Sequence, residues 1–214
     1  GYHAAKPAKM QDLVEFHLYK NNLEVLNMLN VKYVIQQDEE GNSYPGLNPD
    51  ANGNAWFVND IKAVGSADEE IKALDAITTK TRAVLNSSQF SDLKQFSFDV
   101  DSLATIDLVD HRPNYIEYQS NNPNDGFAVF SEMHYPNGWK ATIDGRETPI
   151  YRVNYALRGL RLPAGEHKIA FTFEPKVVQT GSTIALASNM LLALFILGGL
   201  GLSFRKPKKK ETKA

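Results

Sequence analysis

The sequence predicts an α+β N-terminal part, then an antiparallel β-sandwich, then one C-terminal transmembrane helix. Three observations predict it. Residues 1–94 mix helix-like runs with short β-branched segments. From about residue 95 the apolar pattern changes to a period of two. Ile184 to Phe204 then holds 21 residues without a charge. The boundaries that follow are 1–94 for the mixed part and 95–176 for the sandwich. Linker and membrane helix take 177–204, and a basic tail takes 205–214.

The mixed part opens with a helix-like run over Leu13, Val14, Phe16, Leu18 and Tyr19. Asn22 is placed to cap a second run carrying Leu23, Val25, Leu26, Met28 and Leu29. Val31 to Ile35 is β-branched and reads as a strand. A polar loop from Gln36 to Asn54 follows, with Pro45, Pro49, Gly41, Gly46 and Gly53. Ala55 to Val58 is a second short strand. Ser66-x-x-Glu69 is a capping box that opens a helix over Ile71, Ala73, Leu74 and Ile77, and Ala83 to Leu85 continues it after a break.

In the sandwich, Phe96, Phe98 and Val100 alternate with polar neighbours. Six further strands are expected over 115–119, 127–133, 139–143, 150–155, 157–162 and 167–173. Asp144-Gly145 suits a type I′ hairpin turn. Ile169, Phe171 and Phe173 share one face of the last strand, which makes it a core strand.

The membrane segment rests on length and charge. No charged residue occurs in the 28 positions between Lys176 and Arg205. Twenty-one helical residues reach about 31 Å, close to the ~30 Å hydrocarbon thickness of a bilayer. The run Arg205-Lys206-Pro207-Lys208-Lys209-Lys210 stops the segment, so the tail is expected in the cytoplasm and residues 1–176 outside. Residues 1–30 hold no signal peptide, because Lys6, Lys9, Asp12, Glu15, Lys20 and Glu24 break every apolar core. The chain is therefore expected to be the C-terminal piece of a longer protein whose earlier helices deliver it across the membrane.

Charge and composition exclude several classes. The formal net charge is −2, but residues 205–214 carry six basic side chains against Glu211, a net of +5. The rest is acidic, so nucleic acid is not an expected partner. There is no cysteine, hence no disulfide, no Cys-ligated metal and no thiol nucleophile. His3, His17, His111, His134 and His167 are scattered, and no cofactor is expected. Asp99-Val100-Asp101 has the DxD form of a metal–nucleotide site, but on an alternating strand it reads as solvent-facing carboxylates. Asp125, Glu132 and Asp144 cannot be placed as an acid–base pair from sequence.

One stretch concentrates binding chemistry. Tyr135, Trp139, Tyr151, Arg152, Asn154, Tyr155 and Arg158 crowd it. Sugars bind by stacking on flat rings with a few convergent polar groups. Arg158, Asn154, Tyr155 and Trp139 are the substrate-binding candidates. Arg suits phosphate through bidentate hydrogen bonds, and Arg158 is the least core-like of the set. The competing reading puts Trp139, Tyr151, Val153 and Tyr155 in the core, since they fall on strand-alternating positions.

The stretch Phe130-Ser131-Glu132-x-x-Tyr135-Pro136-x-Gly138-Trp139-Lys140-Ala141-x-Ile143-Asp144-Gly145 closely resembles the C-terminal part of YfhO-type bacterial membrane proteins. So do Pro149 to Leu160, Leu162 to His167 and Phe173-Glu174-Pro175. Leu26 to Ile35 and Gly53 to Val58 fit the same pattern. The resemblance implies the extracytoplasmic C-terminal region and last helix of a GT-C-type glycosyltransferase. Such enzymes move sugar from a polyprenyl-phosphate carrier to cell-envelope polymers such as lipoteichoic acid. It also implies that the catalytic carboxylate lies in an early loop outside this sequence, so no catalytic residue is carried over. The implied partners are the lipid bilayer, an N-terminal transmembrane region of the same protein, and a polyprenyl-phosphate sugar or envelope glycan. The alternative is a membrane-anchored carbohydrate-binding or structural envelope module without catalysis.

Overall fold

A computed structural model describes residues 6–204. The basic tail on which the orientation argument rests lies outside the described residues. The chain divides into two units between Glu174 and Pro175.

The first unit is mostly β, with short helices at its start. Helix α1 spans Ala8–Phe16 and a 3-10 turn spans Leu18–Lys20. Helix α2 spans Leu23–Met28, capped as expected by Asn22, whose side chain accepts from the Val25 N–H. Helix α3 spans Ala67–Ala73 and is capped by Ser66, which accepts from the Glu69 N–H, with three acidic residues in its first turn.

Three sheets carry the rest. A two-stranded ribbon pairs β1 (Tyr33–Gln37) with β2 (Ser43–Leu47), so the expected loop holds a strand despite Pro45. A two-stranded ribbon is all edge, and there a missing N–H is tolerated. A five-stranded sheet has the order β10 (Arg146–Thr148), β9 (Trp139–Ile143), β13 (Gly165–Phe173), β7 (Tyr115–Asn122), β6 (Thr105–Arg112). It is antiparallel throughout. Asp144 and Gly145, with φ of 50° and 80°, make the expected β9–β10 hairpin turn.

The six-stranded sheet has the order β3 (Ala55–Val58), β8 (Gly126–Met133), β12 (Leu157–Leu162), β11 (Tyr151–Val153), β5 (Arg82–Asn86), β4 (Asp60–Val64). Strands from either side of residue 95 therefore share it. Only Asn59 separates the two edge strands β3 and β4, so their facing ends lie within about 7 Å. The sheet must curl until its edges meet. Strand β4 runs parallel to β5 with α3 as the crossover, so this sheet departs from the antiparallel expectation. Ala83 to Leu85 is a strand rather than more helix, and its β-branched centre suits that state. The expected strand at Phe96–Val100 is reduced to one bridge, Asp60 with Ser97.

Two apolar clusters follow strand parity. Phe57, Ala128, Phe130, Leu160 and Leu162 of the curled sheet meet Ile116, Tyr118, Ala141, Ile169 and Phe171 of the five-stranded sheet. At its centre the rings of Tyr118, Phe130 and Phe171 lie 4.9–6.2 Å apart at steep angles. Such pairs contribute about 0.5–1.5 kcal/mol each beyond burial. The alternate residues Trp56, Val58, Phe127, Val129, Tyr151 and Val153 join Leu13, Val25, Met28, Ile71 and Leu74 from the helices. Both faces of the curled sheet are thus covered.

The second unit is helix α4, Lys176–Ser203. Its 28 residues have a mean hydropathy of 2.0 in the best window, long and apolar enough to cross a membrane. Pro175 precedes it, where its fixed φ costs nothing.

Candidate functional site

Strands β8 and β13 finish, and β9, β7 and β12 begin, at one end of the first unit. Phe173 pairs with Trp139, Thr172 with Tyr115, and Leu157 with Met133. The four sequence candidates all lie at this end.

A groove of about 600 Å3 opens here, lined by Phe90, His134, Tyr135, Trp139, Arg152 and Lys9 among others. Trp139 is half-buried at the first position of β9, after Gly138 with φ 115°. Tyr135 is half exposed beside Pro136. His134 donates its backbone N–H to Ala156 O at 2.7 Å. Burial, with the charges of Arg152 and Arg158 nearby, pushes its imidazole down to about 4, so it is neutral at pH 7.

Arg158 is 3% exposed rather than a surface residue. Its guanidinium lies 4.1 Å from the Trp139 ring centroid and 5.1 Å from that of Phe171. Its Nε donates to Met133 O at 3.0 Å, while buried Nη1 has no partner among the described residues. The desolvated cation–π contact holds Trp139 from behind. Arg158 shares the strand parity of Leu160 and Leu162, which aims it toward the five-stranded sheet, and the register shift opposite it falls in β8, between Met133 and Phe130.

Asn154 and Tyr155 form the β11–β12 turn with φ of 48° and 70°. Positive φ is uncommon outside glycine and an outlier for a bulky residue. The surroundings hold it in place. Asn154 exchanges two 2.8 Å bonds with Val84: its N–H donates to Val84 O, and its Oδ1 accepts the Val84 N–H. The Tyr155 N–H donates to Glu70 Oε1 at 3.1 Å, and the Tyr155 hydroxyl to Asp12 Oδ2 at 2.7 Å. Lys9 Nζ sits 3.6 Å above the Tyr155 ring. Strain of this kind persists only where contacts over-determine it, and it clusters at binding and active sites.

Glu70, which the sequence reading did not single out, and Arg152, which it placed in the binding stretch, lie beneath the turn. Glu70 is fully buried, and its Oε2 accepts from Arg152 Nη2 at 2.9 Å. Burial raises the Glu70 carboxyl above its ordinary range, and Arg152 and the Tyr155 N–H pull it back. Arg152 Nε is buried without a partner among the described residues. The only local signal was an acidic residue on a capped first turn, which usually means a surface.

Of the four candidates, Trp139 lines the groove, while Arg158, Asn154 and Tyr155 stand behind it. Tyr151, Val153 and Tyr155 are core, as the competing reading had it. Asp99 is exposed and Asp101 part-exposed, and Asp101 accepts from the Leu103 N–H as a turn acceptor. No group of three His, Asp or Glu side chains with metal-binding geometry occurs among the described residues.

No curated protein and no solved structure matches the chain. Residues 66–185 match the family described as bacterial membrane protein YfhO. That span runs from the α3 cap through every strand of the two large sheets except β3 and β4 and into α4, and it includes Glu70, Trp139, Arg152, Asn154, Tyr155 and Arg158. The chain belongs to the YfhO family of bacterial membrane proteins.

Proposed function

We propose that the first unit is a sandwich-like extracytoplasmic domain of a polytopic cell-envelope glycosyltransferase, with α4 as its last membrane helix. The parent enzyme takes sugar from a polyprenyl-phosphate carrier, and this chain alone is not catalytic. Trp139 is the glycan contact. Arg158 holds its ring, and the Asn154–Tyr155 turn shapes the floor beside it.

One observation carries this reading. A half-open indole lies in a groove beside Tyr135 and the cationic side chains of Lys9, Lys140 and Arg152, in a family of membrane proteins. Flat apolar faces with a few charged groups suit a sugar that bears a phosphate. The orientation with the basic tail inside puts the groove on the outer side, where lipid-linked sugars are used.

The test uses the whole protein in membranes. Trp139→Ala is expected to lower sugar transfer from a polyprenyl-phosphate donor at least tenfold with normal protein level. Unchanged transfer would refute a glycan role for this groove. The Trp139 groove also suits a binding module, which predicts glycan binding by the full chain in detergent with no transferase activity in any membrane preparation.

A further inference from the structure

The β1–β2 ribbon has no work to do inside the first unit. Every residue of β1 is exposed, and so is all of β2 except Gly46. Isolated two-stranded hairpins are marginal in water. Yet this one is clamped at its base. The Asn48 N–H donates to Lys32 O at 2.8 Å, and its side-chain amide donates to Asn27 Oδ1 and Val31 O at 2.9 Å. Asn30 joins the base to Asn54 at 2.9 Å.

Register sorts its side chains into two unlike faces. Tyr33 pairs with Leu47 and Ile35 with Pro45, so these four form one apolar face. Tyr33, Ile35 and Leu47 are 62%, 70% and 67% exposed. On the other face the Gln36 side chain lies over Gly46, where an added Cβ would approach it to 2.6 Å, and Val34 and Tyr44 there are less exposed, at 38% and 45%. The tip carries Asp38, Glu39 and Glu40. Asp38 accepts from the Asn42 and Glu40 N–H groups, which hold its carboxyl below the usual range.

Position supplies the partner. The Ser131 N–H bonds Asn54 O and the Ser131 hydroxyl bonds Met28 O. The ribbon base therefore sits at the end of β8, the same end from which β13 delivers the chain to α4. Only Glu174 and Pro175 lie between β13 and α4. From this we infer that the Tyr33–Ile35–Pro45–Leu47 face is a lipid-docking surface that rests in the bilayer interface. Tyrosine and aliphatic side chains beside Lys32 suit that zone, where ring and hydroxyl meet apolar and wet layers. The carboxylates of the tip start three residues beyond Ile35, about 10 Å along the strand and just past a Debye length of about 8 Å, and they offset Lys32 at the base. Docking therefore needs no anionic lipid, and anionic lipid does not strengthen it.

The chain has no cysteine, so single-cysteine spin labels report one position each. Ile35→Cys, Leu47→Cys and Glu39→Cys, in the full chain, are reconstituted in phosphatidylcholine bilayers with and without 30% phosphatidylglycerol. At positions 35 and 47 collision with a water-soluble nickel quencher is expected to fall at least fivefold relative to position 39, and collision with oxygen to rise. Both lipid mixtures are expected to give the same result. Equal water access at all three positions would overturn the inference. So would shielding at 35 and 47 that persists in detergent with a dimer mass, which assigns the face to a second copy.

Discussion

Removing one partner of the Glu70–Arg152 pair should cost far more than removing both. Glu70 is fully buried and Arg152 is 7% exposed, with 2.9 Å between Oε2 and Nη2. A buried charge left alone costs about 3–5 kcal/mol. Glu70→Leu therefore costs about 3–5 kcal/mol for stranding Arg152, plus about 1 kcal/mol or more for the Tyr155 N–H that loses its acceptor. Arg152→Met strands Glu70 and costs about 3–5 kcal/mol. In the double variant no charge is stranded and methionine fills the arginine stem's volume. Only the Tyr155 N–H remains unsatisfied, so the loss falls to about 1–3 kcal/mol. The coupling across the cycle is then about 3 kcal/mol or more. The assay is denaturant unfolding in detergent, followed by fluorescence of Trp56 and Trp139, the two tryptophans. A double variant as unstable as the two single losses added together would refute the pairing. Glu70→Gln separates the parts, because the amide oxygen still accepts from Tyr155 while the charge is gone.

Other consequences follow from single contacts. Asn154→Ala loses the acceptor for the buried Val84 N–H and keeps a positive φ, so it should cost about 2–4 kcal/mol in the same assay. Gly159→Ala places a methyl 2.6 Å from the buried Phe127 ring and should cost about 1–3 kcal/mol; a neutral result would mean that the ring moves. Phe171→Asp buries a carboxylate among Tyr118, Phe130 and Arg158 and should abolish cooperative unfolding, whereas an unchanged melting temperature would refute the core between the sheets. His134 titrates near 4 when folded and near 6.5 when unfolded, so the unfolded state takes the proton first as pH falls. Stability should therefore drop by about 1–3 kcal/mol between pH 6.5 and 4, a loss reduced by the partial exposure of the ring. His134→Asn should flatten that slope.

The parts of the fold that showed in the sequence are those a local pattern controls. The Asn22 and Ser66 caps, the Asp144-Gly145 turn and the strand over 157–162 each depend on neighbours within a few residues. The misses have a common cause. Ala83 to Leu85 is an all-apolar run too short for periodicity to tell helix from strand, and its pairing partners lie in β4 and β11. Thr105–Arg112 alternates only as far as Leu108 and ends in Asp110-His111-Arg112, and it became strand β6 by pairing with β7 on both sides of a register shift at Val109. The ribbon strand β2 was hidden by a proline that an edge tolerates.

The site was half legible for a reason specific to β11 and β12. Period-two reasoning assumes that one face of a strand is covered, so it assigns alternate residues to core and solvent. Here both faces are covered, by residues of the helices on one side and of the five-stranded sheet on the other. The odd positions Tyr151, Val153 and Tyr155 went to the core as parity required. Arg152, Asn154 and Arg158 are buried as well, with partners elsewhere in the chain: Glu70 is 82 residues from Arg152, Val84 is 70 from Asn154 and Met133 is 25 from Arg158. No spacing rule sees such pairs. What remained visible was composition, two arginines and an asparagine inside an otherwise apolar run, and buried polar groups of that kind must be satisfied or serve a ligand. The accessible group is instead Trp139, the residue whose type most suggests a core. It stays reachable because it opens its strand after a left-handed glycine, with Arg158 filling the space behind it. The chemistry most suited to phosphate therefore supports the ring, and the ring faces the groove.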